Sequence, residues 1–92
     1  MKKMKYGYIA FGKLKPDIMG GGPESINKAM TELIKIAEKH EMMVKTYGYP
    51  FGVSENFVVV YASEKGLDNY NSFMGEADLP YTDSRTHQVI SP

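Results

Sequence analysis

The sequence contains no cysteine and no tryptophan, a single arginine (Arg85), two histidines and no excess charge of either sign. Without cysteine there is no disulfide, no thiolate metal site and no thiol nucleophile. The composition fits a reducing compartment, and the expected location is the cytoplasm. Eleven basic and eleven acidic side chains cancel. A neutral chain has no broad electrostatic footprint for nucleic acid or anionic lipid, so neither is expected as a partner. With one guanidinium, bidentate recognition of a phosphate or carboxylate has one candidate side chain. No apolar run is long enough to span a membrane. The start, Met1-Lys2-Lys3-Met4-Lys5 before Tyr6-Gly7-Tyr8-Ile9-Ala10-Phe11, has the outline of a leader peptide. Its apolar part is short, tyrosine-rich and glycine-interrupted, with no A-x-A site, and it reads as a first strand.

The 92 residues suit one domain, 1–92, that folds with a small margin and benefits from a partner subunit. Tyr6 to Phe11 predicts a strand and residues 12–22 a loop ending in Gly20-Gly21-Gly22. Pro23 suits the first position of a helix. Ile26, Ala29, Met30, Leu33, Ala37 and His40 then recur at three- and four-residue steps, predicting an amphipathic helix to about Glu41. Met43 to Tyr49 predicts a second strand, residues 50–55 a turn, and Asn56 to Ala62 a third strand. Leu67, Tyr70, Phe73, Met74 and Ala77 mark a second helix. Arg85 to Ile90 closes the chain as a fourth strand of mixed polarity.

The order is strand, helix, strand, strand, helix, strand. Right-handed crossovers place strands one and three in the middle and two and four at the edges. The polarity agrees. Strand one sets Tyr6, Tyr8 and Ala10 against Ile9 and Phe11, and strand three sets Phe57, Val59 and Tyr61 against Val58, Val60 and Ala62. Strand two carries Lys45, and strand four carries Arg85, His87 and Gln88. The fold class is α+β: a ferredoxin-like βαββαβ sandwich with a four-stranded antiparallel sheet and two helices on one face. The helices leave the second face uncovered, with tyrosine, phenylalanine and valine expected on it. A homodimer through that face is the simplest cover.

In element order, length and sheet polarity, from Tyr6 to Ile90, the chain resembles the dimeric α+β barrel superfamily, whose ferredoxin-like protomers pair sheet to sheet. The resemblance rests on no signature motif. It implies a wide range of roles: cofactor-free monooxygenases, haem-degrading enzymes, lactone isomerases, stress-response proteins and ligand-sensing domains. It also implies a ligand cavity between sheet and helices.

His87 and Arg85 stand two apart on the fourth strand and so share a face. His87 is the candidate catalytic acid/base and Arg85 a candidate ligand anchor; the plainer reading is a polar pair on an edge strand. Tyr8, Tyr47, Tyr49 and Tyr61 are candidate ligand-binding residues, because a tyrosine wall with polar tips suits a small apolar or aromatic molecule. Such tyrosines serve a core or subunit interface equally well. Parity puts Tyr47 and Tyr49 on one face. His40 falls at a helix C-terminus, where an imidazolium is favoured. No metal-ligand spacing is present, and no metal or cofactor is expected. The glycine triplet before Pro23 matches neither dinucleotide-binding nor P-loop patterns. Asp78 and Asp83 have no demonstrable carboxylate neighbour for a catalytic dyad. Two functions remain open: a cofactor-free monooxygenase- or isomerase-like enzyme, or a non-catalytic stress-associated or ligand-sensing dimer.

Overall fold

A computed structural model describes residues 4–92; the first three residues of the basic leader-like start lie outside the described residues. The elements are β1 (Tyr6–Leu14), α1 (Pro16–Gly20), α2 (Gly22–Lys39), β2 (Met42–Gly48), β3 (Phe57–Ser63), α3 (Leu67–Glu76) and β4 (Tyr81–Ile90). The four strands form one antiparallel sheet in the order β2-β3-β1-β4. The two strands that are apolar on both faces are the central ones, as their side chains require.

Residues 12–22 differ from the expected loop. β1 continues to Leu14, which is buried and pairs with Tyr81, and residues 16–20 make a short helix that starts on Pro16. Gly12 permits this extension. A Cβ there would lie 2.5 Å from Cδ2 of Tyr81, so the ring of Tyr81 occupies the space a side chain would need. Gly22, at φ 72°, turns the chain from α1 into α2, a conformation that costs glycine little. β4 likewise begins at Tyr81 and not at Arg85.

α2 buries Ile26, Met30, Leu33 and Ala37, a stripe at four-, three- and four-residue steps. α3 buries Tyr70 and Phe73. Both stripes pack on the sheet face formed by Tyr8, Ala10 and Leu14 of β1 and by Phe57, Val59 and Tyr61 of β3, making one continuous core. α2 stops at Lys39. His40 and Glu41 follow, with Glu41 at φ 57°, and their N–H groups donate to the carbonyls of Ala37 and Glu38. His40 also meets Glu76 at the end of α3, and Asn69 Nδ2 donates to its carbonyl at 2.7 Å. These contacts fasten the two helices together at one end.

Candidate functional site

The two sheet faces hold different chemistry. Parity along β1 and β3 sends Ile9, Phe11, Val58 and Val60 away from the helices. The pairings Phe11↔Val58 and Ile9↔Val60 make them one apolar block. All four are partly exposed, and no helix among the described residues covers them. β4 adds Arg85 opposite Phe11 and His87 opposite Ile9. Neither Tyr8 nor Tyr61 points to this side. The expected aromatic content of the uncovered face reduces to Phe11 among aliphatic residues, because the parity that exposes Ile9 and Val60 buries Tyr8 and Tyr61.

Arg85 organises the polar corner of this face. Its Nε donates to Glu55 Oε2 at 2.5 Å and its Nη2 to Glu55 Oε1 at 3.2 Å, a bidentate pair. Its guanidinium carbon sits 4.7 Å from the centre of the Phe11 ring, and its Nη1 is 2.8 Å from His87 Nε2. A guanidinium has no acceptor, so Nε2 accepts and the proton of the neutral imidazole sits on Nδ1. The His87 ring meets Phe11 edge-on, 6.0 Å between centres. Glu55 comes from the 49–56 connection, which turns at Gly52 (φ 85°), and its side chain is only 8% exposed. Asn56 anchors the same segment by accepting from the Leu14 N–H at 2.9 Å. The hydrogen bonds from Arg85 hold the Glu55 carboxyl below its usual range, partly opposed by desolvation, and Glu55 in turn raises Arg85.

The core tyrosines lie on the opposite side of the sheet. Tyr8 and Tyr61 are fully buried. Tyr8 stacks on Tyr70 with ring centres 4.4 Å apart, donates to the Lys65 carbonyl at 3.2 Å and accepts from Gln88 Nε2 at 3.3 Å. Tyr61 shares a 2.9 Å hydrogen bond with Tyr81, and Tyr70 shares one of 2.8 Å with Thr86. Burial pushes the phenols of Tyr61 and Tyr81 well up and raises that of Tyr70, so they stay protonated. Around Tyr8 and Tyr61 the space between sheet and helices is therefore filled by rings.

Tyr47 and Tyr49 part company. A register shift between Val44 and Thr46 precedes both residues and leaves their relative parity unchanged; they differ because β2 ends at Gly48. Tyr47 turns toward α2 and donates to Asn27 Oδ1 at 2.7 Å, while Tyr49 lies beyond the strand end, 67% exposed. Both border a shallow groove of about 210 Å³ with Pro23, Ile26 and Phe57. A second groove, about 380 Å³, runs along β2 between Ile34, Met42 and Val44. Neither is lined by His87 or Arg85. The structure thus joins Arg85 to His87 and separates both from the four tyrosines.

Glu55, Tyr70 and Tyr81 complete these clusters without having stood out in the sequence as site residues. For Glu55 the available signal was the single arginine, which needs an acidic partner on the face it shares with Phe11. Asp78 pairs with Lys15 at 3.3 Å. Asp83 sits in the β1–β4 register shift at φ 51°. Among the described residues no group of three or more potential ligands gathers for a metal ion. Among them, too, no helix is long and apolar enough to cross a membrane.

A four-stranded antiparallel sheet in this order, with helices on one face and an apolar second face, is a ferredoxin-like α+β fold. Among solved structures, the chain is similar to a dimeric ferredoxin-like protein of unknown function from Thermobifida fusca YX. The two are 17% identical with a TM-score of 0.58, over 99% of this chain and 94% of that one. At that identity the likeness concerns the fold. No family model matches the chain, and no curated protein matches it in sequence.

Proposed function

We propose that the protein works as a homodimer closed through its uncovered sheet face, and that the paired faces hold a small apolar or aromatic molecule without transforming it. One observation carries the proposal: Ile9, Phe11, Val58 and Val60 form a continuous apolar block with the only guanidinium and an imidazole at its edge. A largely apolar floor with a few convergent polar groups is the usual form of a small-molecule site. Arg85 and His87 are its polar end. The dimeric state of the Thermobifida fusca protein supports the first half of the proposal.

Non-catalytic binding is favoured because the polar groups already satisfy one another. Glu55 occupies two donors of Arg85, and a third is directed at the lone pair of His87 that a general base would use. Tyr8 and Tyr61 then act as core residues, and Tyr47 and Tyr49 as walls of a peripheral groove. Native mass spectrometry of the purified protein tests the dimer. A thermal-shift panel of small aromatic compounds, with and without a carboxylate, tests the site. A ligand that stabilises the wild type and not Arg85→Ala supports it. Uniform indifference of the wild type contradicts the binding half.

A cofactor-free enzyme is the second reading, favoured by the placement of His87 on an apolar face beside a cation. It requires that His87→Ala abolish turnover of whatever compound the panel identifies.

A further inference from the structure

Glu55, Arg85 and His87 form a chain of three ionisable groups on the face that a second copy covers, so a role for them in assembly rests on that dimer reading. Neutral His87 closes the chain with no net charge, because Arg85 and Glu55 cancel and Nε2 accepts from Arg85 Nη1 at 2.8 Å. A protonated imidazole has two donors and no acceptor. It sets a second cation against a guanidinium that has nothing left to offer but N–H groups. The groups facing His87 offer no remedy. From its own strand comes Arg85. From β1 come uncharged Ile9 and Phe11, with Phe11 already under the guanidinium. From the 49–56 connection comes Glu55, with both oxygens on Arg85.

In a lone protomer the charged ring can turn to water, since β4 is exposed along this stretch. A closed dimer removes that escape. We infer that His87 is an acid-sensitive latch on the dimer: the assembled state requires the neutral imidazole, and acidification releases the protomers. The monomer takes up the proton more readily than the dimer. The dimer is therefore favoured at higher pH and weakens as pH falls through the imidazole range.

Sedimentation equilibrium of the full chain at about pH 7.5 and about pH 5.5 tests this, on the wild type, His87→Gln and His40→Gln. Glutamine keeps an acceptor for Arg85 and does not titrate; His87→Asn replaces it should the first variant not fold. The wild type and His40→Gln should lose affinity by at least about tenfold at the lower pH, and His87→Gln should change by less than about twofold. A wild-type dimer equally tight at both pH values overturns the latch and leaves the dimer intact, as does an equal loss in His87→Gln. A wild type monomeric at both pH values overturns the dimer reading itself.

Discussion

The hydroxyls of Tyr61 and Tyr81 meet 2.9 Å apart in the buried layer between sheet and helices, each the partner that makes the other's burial tolerable. Tyr61→Phe leaves Tyr81 without that partner and should destabilise by about 1–3 kcal/mol. The double variant Tyr61→Phe, Tyr81→Phe should recover a substantial part of that loss, because no polar atom is then stranded. Urea denaturation of the four proteins in a double-mutant cycle measures the coupling.

The same burial predicts how stability responds to alkali. Tyr61, Tyr70 and Tyr81 hold their protons more tightly folded than unfolded. A group raised in the folded state contributes its full stability below its unfolded value, about 10 for tyrosine, and loses it as pH rises further. The contribution of these tyrosines should therefore be constant up to about pH 10 and fall above it, by up to about 1.4 kcal/mol per pH unit for each retained proton. Absorbance at the phenolate band, followed beside far-UV circular dichroism, should show part of the tyrosine ionisation coinciding with unfolding.

Gly12 supplies a steric test. Its missing side chain makes room for the Tyr81 ring, with a virtual Cβ at 2.5, 2.9 and 3.1 Å from three atoms of that residue. Gly12→Ala should force Tyr81 aside and cost about 1–3 kcal/mol. Gly48→Ala, where a Cβ meets nothing within 4 Å, is the control and should cost far less. Thermal unfolding compares the two.

Phe73 is fully buried against Tyr61 and Tyr70, with ring centres 5.3 and 6.4 Å away. Phe73→Ala should cost about 3–5 kcal/mol. That is a large share of the stability of a domain this small, so the variant should be partly unfolded at ambient temperature, visible as lost dispersion in its NMR spectrum.

The sheet order and the two faces were legible because crossover handedness and regular alternation decide them. Ile9 and Phe11 against Tyr8 and Ala10, and Val58 and Val60 against Val59 and Tyr61, fix which strands are central wherever the pleat is regular. Legibility failed where the pleat is interrupted. The shift near Lys45 puts Tyr47 on the face that regular alternation from Val44 would deny it, and the extension past Gly12 depends on a close approach by Tyr81, distant in sequence. The pairing of Arg85 with His87 came from their spacing, whereas Glu55 joins them through a turn whose path no periodicity encodes. Whether tyrosines line a cavity or fill it is a matter of volume: Tyr70 and Tyr81 supply the rings that occupy the space around Tyr8 and Tyr61.

Closure of the uncovered face of Ile9, Phe11, Val58 and Val60 by a second copy is the point on which the rest depends. Sedimentation equilibrium at neutral pH and micromolar concentration tests it most directly, on the wild type and on Val60→Glu, which puts a charge at the middle of that face. The expected result is twice the chain mass for the wild type and the mass of a folded single chain for the variant. A wild type that sediments as a single chain, or a Val60→Glu variant that dimerises as tightly as the wild type, would contradict it.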